Sequence, residues 1–137
     1  MIFYNFPGSE QITFTKKITM SILLSNPAAT ASPDTPHFID KFFIPAAAIN
    51  EFMERMKINR NFIKTLPGFV QDVAYQYSDE NGNLICITVA EWESMDAMNK
   101  AKEAVQAEYA KEGFNPAEMM KRLNISMDRA IYHLVKD

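Results

Sequence analysis

A chain of 137 residues fits one domain and can bury a single core of useful size. Its 47% hydrophobic and 23% charged content is that of an ordinary globular protein, and a net charge of -3 with no dense Lys/Arg face gives no electrostatic basis for binding nucleic acid. Cys86 is the single cysteine, which excludes an intrachain disulfide and a thiolate metal cluster, and the apolar runs are too short to cross a bilayer as a helix.

Residues 1–36 read as an N-terminal arm and linker. "KKITMSILLSNPAATAS" has the basic pair, short apolar stretch and small-residue site of an export signal, but Ser21, Ser25, Asn26 and Pro27 break the apolar stretch. A strand explains more: Ile12, Phe14, Ile18, Met20, Ile22 and Leu24 alternate with Thr and Ser, interrupted only at Lys16. The expectation is an ordered arm and a cytoplasmic protein, with either Met1 or Met20 as its start. "NPAATASPDTP" follows as a Pro-rich linker.

Residues 37–137 are expected to form the domain. "HFIDKFFI" is apolar and aromatic enough for a strand, and Pro45 suits the first turn of the helix after it. Ile49, Phe52, Met53, Met56 and Ile63 form one helical stripe, stopped by Leu66-Pro67-Gly68. "FVQDVAYQYS" reads as a strand with Phe69, Val73, Tyr75 and Tyr77 on one face. Asn81-Gly82 is the dipeptide that most readily takes the positive φ angles of a tight hairpin. The returning strand "LICITVAEWE" is apolar on both faces, so each side of the sheet needs a cover.

Ser94 is placed to cap the next helix, whose stripe is Met98, Ala101, Val105 and Tyr109, with Gly113 ending it. In "FNPAEM", Asn115 can cap, Pro116 takes the first helical position, Glu118 can close a capping box, and Phe114 can staple onto Met119. "RAIYHLVK" reads as the last strand. The order β-α-β-β-α-(short α)-β is the split ferredoxin-like α+β arrangement with an antiparallel sheet.

"PGFV", the Asn-Gly hairpin, "VAEWES" opening a helix, and "GFNP" before "YHLV" together resemble the antibiotic biosynthesis monooxygenase-like family, over about Phe38 to Lys136. The resemblance implies a dimeric α/β-barrel, in which two subunits pack sheet to sheet and each holds a substrate pocket between its sheet and helices. It implies no cofactor and no metal. In the branch that oxidises aromatic polyketides to quinones, a Trp at the place of Trp92 works with an Asn four residues earlier and a Tyr in the following helix. Here those two positions hold Thr88 and Met98. The haem-degrading branch has an iron-ligating His near the place of Lys102, which as a protonated amine cannot ligate iron.

Within that frame Trp92 either wedges the seam between sheet and helix or stacks on a flat aromatic ligand at the rim of a pocket, partly buried. Thr88 offers one hydroxyl where an amide offers a donor and an acceptor. Asp40, a carboxylate in an apolar strand, is either a pocket base or one half of an ion pair with Lys or Arg on a neighbouring strand. His133, read as mid-strand, is either a satisfied histidine or a general base. Tyr75, Met98 and Phe52 are expected to line the pocket with Trp92. Two functions fit: a cofactor-independent monooxygenase for an aromatic quinol or polyphenol, or a non-catalytic dimeric module that binds a small apolar aromatic ligand. Neither involves nucleic acid or a membrane. The four glycines form no phosphate-cradling loop.

Overall fold

Alternation in "HFIDKFFI" produces the first strand, β1 (His37–Ile44), with Phe38, Phe42 and Ile44 buried on one face and Asp40 buried among them. The computed structural model describes residues 35–136, so the expected strand Ile12 to Leu24 and nearly all of the linker lie outside the described residues. Pro45 does not open the helix directly. A 3-10 turn at Ala46–Ala48 comes first, closed by Ala48 N–H donating to the Pro45 carbonyl at 2.8 Å, and α1 (Ile49–Ile63) continues from it.

β2 (Phe69–Ser78) and β3 (Leu84–Trp92) are antiparallel. Their connection is built around Asp79 rather than around two left-handed residues. The Asp79 carboxylate accepts from the N–H groups of Asn81 and Asn83, both at 2.9 Å, and among residues 79–83 only Gly82 takes a positive φ, 78°. This is the three-residue hairpin loop with glycine in the left-handed position, not the two-residue turn expected from Asn81-Gly82.

A bulge at Val70 corrects the face assignment of β2. Phe69 pairs with Trp92 but Gln71 pairs with Glu91, so one extra residue reverses the alternation. Phe69 therefore packs on the helix side, edge-on to Trp92 with ring centroids 5.6 Å apart, while Val73, Tyr75 and Tyr77 face the opposite way.

Gly68 shows why this corner needs glycine: its φ is +81°, and a Cβ there would lie 2.4 Å from the Ala97 Cβ. Ala97 belongs to α2 (Met95–Glu112), whose first turn is capped by the Ser94 hydroxyl accepting from Ala97 N–H at 3.1 Å. Gly113, left-handed at φ 69°, ends it. The Asn115 side chain accepts from Glu118 N–H at 3.1 Å and caps α3 (Pro116–Arg122), as its sequence predicts.

β4 (Ser126–Tyr132) starts earlier and stops earlier than "RAIYHLVK" suggests. Its partner is β1, and Tyr132 pairs with His37, the first residue of β1, so the ladder has no rung for His133. The sheet order is β2-β3-β1-β4, antiparallel throughout, which is the expected ferredoxin-like topology. Helices cover one face; the other shows Phe43, Val73, Tyr75, Tyr77 and Tyr132, all more than a third exposed. Among the described residues no helix is long and apolar enough to cross a membrane.

Candidate functional site

The core between sheet and helices is divided. One apolar cluster gathers Phe42, Ile44, Phe52, Met56 and Cys86 with Met119; the other gathers Phe38, Ile63, Ala90, Trp92, Met98 and Val105. Into the same layer come the buried polar side chains Asp40, Thr88, Asn59 and Lys102, at 0%, 3%, 3% and 8% exposure. Strand alternation aims Asp40 and Thr88 at the helices, because they are register partners on β1 and β3. Helical spacing aims Asn59 at the sheet, in line with Phe52, Met56 and Ile63, and Lys102 likewise with Met98, Val105 and Tyr109.

Asp40 is held by Arg129, its register partner on β4. Nε donates at 2.7 Å and Nη2 at 3.1 Å, one to each carboxylate oxygen. Burial pushes the Asp40 carboxyl upward; positive charge and hydrogen bonds around it, those of Arg129 among them, outweigh burial, and the net shift is downward. Of the two roles open for Asp40, the structure displays the ion pair. The Arg129 guanidinium also lies 5.0 Å from the ring centre of Phe38, tying the pair to the apolar half that contains Trp92.

Lys102 has the opposite balance. Burial, then the nearby charge of Arg129, lower its pKa from 10.5 to about 8. A lysine in that range exchanges its proton near neutral pH, which an exposed one does not.

Trp92 is fully buried, with no exposed rim, which corrects the expectation of a partly buried indole. It shares a buried apolar cluster with Met98. Phe52 is equally buried but belongs to the other cluster, its ring 4.9 Å from that of Phe42. Tyr75 does not join them: it is 63% exposed on the uncovered face, on the far side of the sheet from Trp92. His133 lies beyond the end of β4, exposed to solvent, and is removed from the polar layer.

Sequence reading passed over Asn59 and Arg129. Asn59 occupies a core position of the α1 stripe, so its signal was a polar residue at apolar spacing. Arg129 becomes visible only when β4 is set in register against β1.

No family model and no curated protein matches the sequence. Solved structures do match. A proposed monooxygenase from Shewanella loihica PV-4 superposes with a TM-score of 0.54 at 20% identity, covering 77% of this chain and 99% of that one. SnoaB, a cofactor-independent oxygenase from Streptomyces nogalater, superposes in a variant form with a TM-score of 0.52 at 21% identity, over 76% of this chain and 96% of that one. A dimeric ferredoxin-like protein from an uncultured marine organism reaches 0.56 at 9% identity, over 77% and 99%. At such identities the likeness is one of fold, and the ferredoxin-like fold expected from the antibiotic biosynthesis monooxygenase-like resemblance is the fold this chain has.

Proposed function

We propose that the protein is a cofactor-independent monooxygenase, working as a homodimer, that oxidises an electron-rich aromatic quinol or polyphenol between its sheet and helices. The observation that carries this reading is the buried polar layer of Asp40, Arg129, Thr88, Asn59 and Lys102 between sheet and helices, the layer in which Trp92 is also buried. Burying charge in a core is costly, and apolar side chains of similar size would stabilise the fold as well or better. Strongly shifted buried groups cluster at functional sites for that reason. The names of the structural neighbours, a proposed monooxygenase and a cofactor-independent oxygenase, agree with it.

The chemistry needs a proton acceptor and a place for negative charge. A phenol that loses its proton becomes electron-rich enough to give an electron to dioxygen. Joining of the two radicals at a ring carbon bearing hydrogen gives a hydroperoxide, which loses water and leaves a carbonyl. One oxygen atom ends in the quinone and the other in water, and no external reductant is used. Lys102, with its lowered pKa, is the proton acceptor in this scheme. Protonated Lys102 and Arg129 then stabilise the phenolate and the oxygen anion. Asp40 is not the base: it orients Arg129. Thr88 supplies a hydrogen bond, and Trp92 and Met98 supply the dry apolar wall.

A second reading, a non-catalytic module binding a small aromatic ligand, is favoured by the complete burial of Trp92 and by Thr88 where the quinone-forming branch has Asn. Oxygen uptake with a panel of naphthalene- and anthracene-type phenols separates the two. Uptake that is stoichiometric with quinone formation and lost in Lys102→Met supports the enzyme. Ligand binding without uptake supports the module.

A further inference from the structure

Tyr109 has a buried hydroxyl with no hydrogen-bond partner among the described residues, although the residue is only 4% exposed. Its ring is held from several directions. Phe114 meets it edge-on at 5.1 Å between centroids, and the Arg55 guanidinium lies 5.3 Å from its centre. Arg55 is itself fixed, 3.7 Å from the Phe114 ring centre and forked onto the Glu112 carboxylate at 2.7 and 3.3 Å. A phenylalanine in this cage would make the same ring contacts without burying an unmatched polar group, which is costly. The hydroxyl therefore needs an explanation outside packing.

Its position suggests one. Tyr109 stands two turns beyond Lys102 on the inward face of α2, within reach of the charges of Asp40 and Arg129. It also lines a hollow of about 390 Å³ together with Gln106, Ala110, Phe114, Asn115 and Pro116. Tyr109 thus belongs both to the buried polar layer and to a hollow that opens at the surface. Burial pushes its hydroxyl pKa upward, so the group remains a neutral donor throughout the physiological range.

We propose that Tyr109 is a substrate-contacting residue whose hydroxyl donates a hydrogen bond to an oxygen of a flat hydroxy- or keto-aromatic ligand, best in its anionic form, that enters past Gln106 and Phe114. The proposal rests on reading the polar layer as the binding site, and it does not require that the site be catalytic.

The test uses the full chain and 2-hydroxy-1,4-naphthoquinone, an anion at neutral pH that quenches tryptophan emission; Trp92, the only tryptophan, is the reporter. Tyr109→Phe removes one oxygen atom. Loss of a hydrogen bond to an anionic acceptor weakens binding about tenfold, and the melting temperature should be unchanged or raised because the unmatched hydroxyl is gone. Calorimetric titration checks that the quenching reports binding. Equal affinity of wild type and variant, or no binding by the wild type, overturns the proposal. So does a variant whose melting temperature drops, because the hydroxyl then has a structural partner. Oxygen uptake is recorded separately: binding through Tyr109 without oxidation of any phenol ends the enzyme reading and leaves this inference standing.

Discussion

Asp40 and Arg129 are register partners on adjacent strands, doubly hydrogen-bonded at 2.7 and 3.1 Å, with side chains 0% and 8% exposed. A pair placed so deep is stable only as a pair. Each ion loses its hydration, and the partner's charge and hydrogen bonds must compensate. Neutralising one member therefore leaves the other as an uncompensated buried charge.

Arg129→Met should accordingly destabilise the protein by about 3–5 kcal/mol in urea denaturation, and Asp40→Asn should also destabilise it. The double variant should be less destabilised than the sum of the two, because the stranded charge disappears. Strict additivity would show that the pair is not coupled. The acid limb carries a second signature. Folding depresses the Asp40 pKa below the ordinary aspartate value of about 3.9, so its contribution is complete above that value and is lost as pH falls through the lower folded one. Asp40→Asn should flatten this limb.

For Lys102 the sign is reversed. Its folded pKa is about 8 against 10.5 unfolded, so below pH 8 it is charged in both states and its burial is fully destabilising. Between these values the unfolded chain binds the extra proton, and stability should rise with pH. Lys102→Met should remove that rise and add about 1–2 kcal/mol at pH 7, the full shift being discounted for the solvent that still reaches the amine. In the enzyme reading, the rate of oxygen uptake should rise through an inflection near pH 8 and vanish in the variant. A stability profile unaltered by Lys102→Met would mean that the amine is solvated.

The uncovered sheet face predicts self-association. Phe43, Val73, Tyr75, Tyr77 and Tyr132 are exposed together on it, a patch that a solitary subunit has no reason to keep. Sedimentation should give a dimer at micromolar concentration, and Tyr75→Lys with Val73→Glu should give a folded monomer. A wild-type protein that stays monomeric and well folded would remove the dimer from the proposed function.

What the sequence made legible was local. Ser94, Gly113 and Asn115 announce helix ends because a cap needs only its own few neighbours. Asp40 was recognisable as anomalous, but its partner sits 89 residues away and depends on the β1–β4 register. The limit of β4 is set by where β1 begins, so His133 looked like a strand residue until the ladder was known. The bulge at Val70, which turns Phe69 toward Trp92 and leaves Tyr75 on the other face, leaves no mark in an alternating pattern. Tyr109 read as one more core aromatic, because the lack of a partner for its hydroxyl among the described residues is a property of the surroundings alone.

Trp92 tests the site most directly. It sits on the helix face of β3 four residues from Thr88, about 13 Å along the strand. Only an elongated flat ligand would touch both. The indole is fully buried among Phe38, Ala90, Met98 and Phe69, so Trp92→Phe must leave unfilled volume and should destabilise by about 1–3 kcal/mol. That loss is expected whether or not a ligand binds. A loss of stacking area and of the N–H donor should weaken ligand binding only if the indole edge borders the polar layer. Thermal melting and calorimetric titration with 2-hydroxy-1,4-naphthoquinone, run on both proteins, separate the two effects, and oxygen uptake with the phenol panel adds the chemistry. Weaker binding in the variant, at a temperature where both proteins remain folded, places Trp92 at the ligand. Unchanged affinity beside a lowered melting temperature makes it a core wedge, and leaves substrate contact to Thr88, Lys102 and Tyr109.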